Sequence, residues 1–472
     1  MLFNSLTFVA FFGIILAVHR LPLPWTAKKF NLLFASYLFY AAWNPPFVVL
    51  LWISSIVDWL VTRRMSVART TGGRRTWLVL SLLLNLGFLG FFKYAGFATQ
   101  NLALVLSWFG VDYQPPTFSI ILPIGISFYT FQSLSYTIDV YRRTILPWRS
   151  FLDFALSVAF FPHMNAGPIV RASYLLPQFR DPHRASRDQF SWGLCLVVFG
   201  LFAKVVLADA IAAPVADTVY DAATLAGLTD AWIGTLAFSA QIYLDFSGYS
   251  LCAIGTALCL GFALSDNFHF PYGAIGFSDF WRRWHISLSS WLRDYLYVAL
   301  GGNRKGTGRT YVNLALTMLL GGLWHGASWR FVVWGALHGL YLGVERWLRG
   351  TFAPRPSLES PIARAAFALL TYALVCVTWV FFRARDFPTA WTLLGAMLHG
   401  APDRLVLGTA GAAGVLLLTA VLLVGHWRLR DTTLEASWTR LPAWSRPVIL
   451  GLLLFAIALN RGVDRAFIYF QF

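Results

Sequence analysis

The feature that most limits the fold is a recurrence of apolar runs long enough to cross a lipid bilayer, separated by short basic loops. A spanning helix needs about 20 mostly apolar residues, because in hydrocarbon the backbone polar groups must be bonded within the segment itself. Runs of this kind fall at 2–19, 30–43, 46–62, 77–94, 98–110, 117–138, 151–170, 189–210, 231–262, 310–328, 331–348, 364–383, 405–425 and 447–461. Charged residues make up 12% of the 472-residue chain, against roughly 25% in soluble domains. That excludes a water-soluble enzyme, a disordered chain and a nucleic-acid-binding domain. Several runs are short or interrupted by Pro and Gly, so some are expected as re-entrant segments or half-helices buried in protein. The expectation is an all-α polytopic membrane protein with about 10–12 transmembrane helices plus re-entrant and interfacial helices. No linker or internal repeat divides it, so 1–472 reads as a single transmembrane domain.

The net charge of +16 comes from 37 Lys and Arg against 21 Asp and Glu. In a polytopic protein, basic residues gather in cytoplasmic loops and set orientation, and a basic cytoplasmic mouth also attracts anionic substrates. The 63–75 loop carries Arg63, Arg64, Arg69, Arg74 and Arg75 with no acid. The 19–29 loop holds Arg20, Lys28 and Lys29, and the uncharged Asn44-Pro45-Pro46 turn lies between the two. Both basic loops are assigned to the cytoplasm, which puts the N-terminus outside, on the periplasmic face if the cell is a diderm bacterium. The apolar run 2–18 has no basic residues before it and no small-x-small site after it, and reads as a retained membrane segment. Cys195, Cys252, Cys259 and Cys376 lie singly in apolar runs, and no cluster has metal-ligand spacing.

Ionisable groups at membrane depth are costly and mark functional sites by default. Four of the nine histidines, His19, His183, His399 and His426, sit at segment ends; the informative ones are His163, His269, His285, His325 and His338. From 279 to 295, Trp281, Trp284, Leu288, Trp291 and Tyr295 recur at helical spacing, while Arg282, Arg283, Ser289, Ser290 and Arg293 lie largely off that stripe. One amphipathic helix lying at the membrane interface is expected there. Within it His285 has basic neighbours that favour the neutral ring, which fits either a structural histidine or a proton acceptor. His325 stands in a run with no charged residue between Arg309 and Arg330, flanked by Gly321, Gly322 and Gly326, which allow close approach of another helix or a substrate. It is either an interhelical hydrogen-bonding group or a catalytic one. His338 falls about 140° away from it on a continuous helix and is expected to face elsewhere.

Other polar residues in apolar surroundings are Asp245, in Tyr243-Leu244-Asp245-Phe246-Ser247-Gly248-Tyr249-Ser250, and Asn165, in a segment broken by Pro162, Gly167 and Pro168. The turn Gly301-Gly302-Asn303-Arg304-Lys305-Gly306 is either an ordinary basic loop or a phosphate cradle. No GxSxG, Walker A or HExxH signature occurs. The string from His183 to Asp188 has acyltransferase spacing but lies in a polar loop and is read as chance.

The stretch from Asp279 to Gly306, followed by Trp324-His325-Gly326, resembles the membrane-bound O-acyltransferase family. Within it, the chain is most similar to the bacterial branch that holds the alginate and peptidoglycan O-acetylation membrane subunits and the teichoic-acid D-alanylation protein. The resemblance extends over nearly the whole chain. It includes Leu122-Pro123-Ile124-Gly125-Ile126-Ser127-Phe128, Ala166-Gly167-Pro168-Ile169, Asp245-Phe246-Ser247-Gly248-Tyr249-Ser250, Trp379-Val380-Phe381-Phe382-Arg383-Ala384 and the terminal Phe467-Ile468-Tyr469-Phe470-Gln471-Phe472. Departures occur at Leu251-Cys252, where relatives often have Asp-Met, at Ala299 in place of proline, and at His269 in place of asparagine. They bear on the acceptor or partner and leave the histidines untouched.

The resemblance implies a ring of helices around a central tunnel, with the family's essential histidine at His325 and its second recurrent histidine at His285. It further implies transfer of a short acyl group, acetyl above all, from a cytoplasmic acetyl-CoA-type thioester to a hydroxyl of an extracellular polysaccharide such as alginate. His325 would be the general base, and His285 would orient the acceptor or donate to the oxyanion. Asp245, Asn165 and Trp324 are expected to line the tunnel. By charge, Arg282, Arg283, Arg304 and Lys305 are assigned to the donor phosphates. Coenzyme A is a substrate here, with no bound cofactor and no metal expected. The implied setting is the bacterial inner membrane, with a separate periplasmic SGNH-like acetyltransferase as partner and no nucleic acid. Two other classes stay open: an acyl-group transporter, and a membrane scaffold for that periplasmic enzyme.

Overall fold

The computed structural model describes residues 1–116, 120–165, 167–352, 360–399, 406–460 and 465–468. Among these, every regular element is a helix and there is no strand. Among the described residues, six helices are long and apolar enough to cross a membrane: Pro45–Val67, Thr71–Trp108, Arg187–Asp221, Leu228–Cys259, Pro361–Arg383 and Thr409–Leu429. Leu6–Arg20 and Ser445–Leu459 are shorter and equally apolar in character. The chain is a multi-pass, all-α membrane protein.

Several expected spans are redrawn. The runs 77–94 and 98–110 form one helix, Thr71–Trp108, carried across by a wider π-type turn over Gly90–Tyr94. In the run 117–138, of which 117–119 lie outside the described residues, Gly125 in the left-handed region (φ 73°) starts a helix that runs from Ile126 to Arg142. The run 151–170 breaks into Phe151–Ala159 and Phe161–Met164 at Phe160, whose ψ of 108° is not helical. The long run 231–262 is one helix, Leu228–Cys259.

The chain's contacts group into two compact units. One comprises 1–193 with 253–265, the other 194–252 with 266–472. In the first unit, Leu51, Met65, Tyr136 and Phe154 belong to an apolar core. Inside it lies Asp58, a fully buried carboxylate on Pro45–Val67. Ser81 donates to it at 2.6 Å and the Asn85 amide bridges both of its oxygens at 3.0 Å. Ser54 donates to Asn85 at 2.8 Å, and Thr137 of Ile126–Arg142 stands 3.2 Å from Ser81. Three helices are thus fastened by small polar groups. Hydrocarbon offers no hydrophobic drive between helices, so such bonds and close packing do that work.

In the second unit, Thr307–His325 and Trp329–Thr351 form a tight hairpin. A Cβ on Gly322 would strike the Phe331 carbonyl, and one on Gly335 would strike that of Met318. This is the close approach expected of the glycines around His325. Gly326 ends the first arm in extended conformation, and Ser328 caps the second.

Candidate active site

The 279–295 stretch is not one helix at an interface. It is two short helices, Phe277–Arg283 and Ile286–Trp291, separated at Trp284 and His285, followed by a wider turn over Leu292–Tyr297. Its aromatic stripe is buried: Trp284 and His285 are 0% exposed, and Leu288 and Trp291 are covered too. The reason is His285 itself, whose φ of 43° places it in the left-handed region. A non-glycine residue there costs about 1–2 kcal/mol, so its surroundings must hold it.

Asn267 supplies that hold. Its carbonyl accepts from the Ile286 N–H at 2.9 Å and its side-chain oxygen accepts from the Ser287 hydroxyl at 2.9 Å. Its amide in turn donates to Ser250 at 3.1 Å. On the other side of the break, the His269 N–H donates to the Arg283 carbonyl at 2.9 Å. The kink turns the His285 ring inward. Phe246 packs edge-on against it with centroids 4.6 Å apart, Trp324 lies at 5.9 Å and His325 at 6.3 Å. Burial pushes the His285 imidazole down to about 3, so the ring is neutral, with one nitrogen a donor and the other an acceptor.

His325 occupies the last position of Thr307–His325 and is 4% exposed. Trp324 and Trp334 meet it edge-on at 5.0 Å, and Phe382 stands at 5.4 Å. The end of the helix at Gly326 lets the ring project past the hairpin turn. The structure therefore brings together His285, His325 and Trp324, three of the residues expected from sequence.

His338 is not remote, as a continuous helix would make it. It lies one helical turn from Trp334 on the second arm, and the hairpin sets that arm against the first, so Trp334 packs against His325 at 5.0 Å and against His338 at 4.7 Å. Its Nε2 lies 3.1 Å from the Thr378 hydroxyl. Trp334, Phe382 and Asn267 were missed by sequence reasoning. The i, i+13 spacing of Gly322 and Gly335 was the available signal that two helices meet here.

Asp245 lies on Leu228–Cys259, 1% exposed, with its carboxylate held inside the unit. The Lys204 ammonium is 2.9 Å from Oδ1, and the Ile468 N–H donates to Oδ2 at 2.9 Å. Its neighbour Phe246 is what reaches His285. Asn165 belongs to the first unit, buried where Gly125 packs against the Met164 carbonyl.

The basic residues separate into two kinds. Arg283 is spent within the fold: its Nε donates to Asp279 at 2.8 Å, one helical turn away, and its Nη1 to the Arg430 carbonyl at 2.6 Å. Arg282, by contrast, is exposed and lines an open cavity of about 730 Å³ together with Ser278, Thr307, Tyr311, Arg346 and Arg349. Arg304 and Lys305 are exposed in a turn shaped by left-handed Gly301, Gly302 and Gly306, and the Asn313 amide anchors it on the Gly302 carbonyl at 2.8 Å.

Residues 148–382 match the membrane-bound O-acyltransferase (MBOAT) family. The chain is 46% identical to the probable alginate O-acetylase of Azotobacter vinelandii, over 84% of its own length and 78% of that protein's. It is 41% identical to the probable alginate O-acetylase of Pseudomonas putida over 94% of both chains. It is 38% identical to the peptidoglycan O-acetyltransferase of Helicobacter pylori, over 78% of this chain and 73% of that one. With that identity spread over most of its length and the matched region holding His285 and His325, this chain belongs to the membrane-bound O-acyltransferase family and is an O-acyltransferase.

Proposed function

We propose that this enzyme takes an acetyl group from acetyl-CoA at the cytoplasmic face of a bacterial inner membrane, for O-acetylation of an extracellular polysaccharide of the alginate kind. The observation that carries this reading is the pair of imidazoles, His285 and His325, 6.3 Å apart in an aromatic enclosure. That separation leaves both rings within reach of one small polar group. The polysaccharide class rests on the relatives named above.

In the reaction, His325 takes the proton of the acceptor hydroxyl as its oxygen attacks the thioester carbonyl. The C–O bond forms, the C–S bond breaks, and the proton passes to the departing thiolate. Such general-base help is worth about 10²–10⁴-fold. His285, neutral, offers a donor N–H to the oxyanion as charge grows there, the electrostatic role that usually supplies the largest share of catalysis. Trp324 walls the site between the two rings. Arg282, Arg304 and Lys305 serve the phosphates of the donor; Arg283, consumed by Asp279 and Arg430, is left out of that set. The 63–75 and 19–29 loops face the cytoplasm with them, the N-terminus faces the periplasm, and an exported SGNH-like acetyltransferase completes delivery to the polymer.

Purified protein supplied with acetyl-CoA and a soluble hydroxyl acceptor is the test. Release of free CoA that depends on His325 is the expected result. Acetyl movement across a proteoliposome without CoA release would assign the chain to transport instead, and loss of only partner binding on substitution of His325 would assign it to scaffolding.

A further inference from the structure

We infer that the buried charges Lys204, Asp209 and Asp245 are positioning residues for His285, acting through Phe246 and the chain segment at Phe467–Ile468. The inference rests on the catalytic reading of His285 given above. Lys204 and Asp209 lie five residues apart on one helix, a spacing that ordinary α-helical winding turns to different faces. Here the helix widens into a π-type turn over Phe202–Ala212, and the Lys204 ammonium donates to Asp209 at 2.9 Å. Wide turns of this kind are rare and cluster at functional sites.

Two glycines bring the partner helix close enough for the second contact. A Cβ on Gly200 would strike the Gly248 carbonyl, and one on Gly248 the Gly200 carbonyl. One turn before Gly248, Asp245 meets Lys204 at 2.9 Å, and all three charged side chains are about 2% exposed. A buried ion pair is seldom the most stable filling for its space, since apolar side chains of equal volume often serve as well. What this one does is fix direction. Asp245 Oδ2 accepts the Ile468 N–H at 2.9 Å, drawing Phe467 onto Tyr249 at 4.4 Å and onto Phe246 at 5.6 Å. Phe246 is thereby pressed edge-on to the His285 ring at 4.6 Å. The left-handed backbone aims that ring, and the charged latch keeps the wall behind it in place.

Two variants test this. Asp245→Asn keeps an acceptor for Ile468 and removes the Lys204–Asp245 pair while Lys204–Asp209 stays; a chain ending at Ala466 removes Phe467 and Ile468 together with 469–472 and buries no new charge. For both, kcat for CoA release per folded molecule is expected to fall tenfold or more, with the KM for acetyl-CoA within twofold of the parent. Asp58→Asn, a buried acid of the first unit, serves as control and is expected to leave kcat per folded molecule unchanged. A second readout needs no catalysis. Maleimide labelling of an Ile468→Cys variant, followed at that site by mass spectrometry, is expected to be at least tenfold faster when combined with Asp245→Asn. Unchanged kcat in both variants, an equal loss in the Asp58→Asn control, or unchanged labelling would each overturn the latch. If the parent releases no CoA, or releases it equally with His325→Ala, the acyl-transfer reading fails, and the labelling result alone decides whether the latch exists.

Discussion

Two buried aspartates show how differently one membrane protein handles the same problem. Asp58, in the first unit, is met by a serine hydroxyl and an asparagine amide, small neutral donors from a neighbouring helix. Asp245, in the second, is met by the Lys204 ammonium and a backbone N–H, with a second carboxylate, Asp209, sharing the same lysine. The neutral cluster ties three helices of the first unit together. The charged cluster stands one residue from a phenylalanine that packs on His285. Neutral polar contacts fasten helices in lipid at modest gain and modest risk. Full charges at depth are rare and sit beside function. The difference teaches that burial alone does not mark a site; the company a buried charge keeps does.

That contrast can be broken most sharply at the histidines. His325→Ala is expected to lower CoA release by about 10²–10⁴-fold while membrane insertion and thermal melting stay as in the parent. An active, folded variant would remove His325 as the base. Next comes the reverse pattern. Asp58→Ala removes the acceptor that Ser81 and Asn85 share in an apolar core and leaves a cavity there, and is expected to cost about 2–4 kcal/mol of stability. Melting in detergent should drop while specific activity of the surviving folded protein stays within twofold. A smaller effect is expected from joint Arg304→Ala and Lys305→Ala, two exposed groups of the 301–306 turn. The KM for acetyl-CoA should rise about fivefold with kcat unchanged, as for loss of uniform binding; an unaltered KM would remove that turn from the donor site. Smallest is His338→Phe, which loses one bond to Thr378 and keeps a flat ring beside Trp334. The cost should be about 1 kcal/mol, read by melting, with activity near the parent value. Abolished activity would bring His338 into the reaction.

Much of this was legible in the residues. Apolar length gave the helical, membrane-embedded class, and the glycines flanking His325 announced a close helix contact that Gly322 and Gly335 then make. Polarity in apolar surroundings marked five histidines, the family resemblance picked out His285 and His325 among them, and the fold brings those two rings to 6.3 Å. What periodicity missed was the break at His285. Its spacing fits one helix, and only the hydrogen bonds from Asn267, eighteen residues upstream, make the left-handed residue tolerable. The same limit hid the Lys204–Asp209 pairing, because five-residue spacing becomes proximity only in a widened turn. Arg283 shows the limit of reading charge from composition. Charge marks a basic residue without saying whether an acid four positions earlier has already claimed it.

The glycine seam of the hairpin has a mechanical consequence. With backbone lying on backbone at Gly322 and Gly335, the two arms that carry His325 and His338 have no side-chain cushion between them to compress or slide upon. They move as one stiff body, so whatever opening admits a substrate comes from a hinge elsewhere, and the imidazole at the tip of the first arm stays fixed against the second.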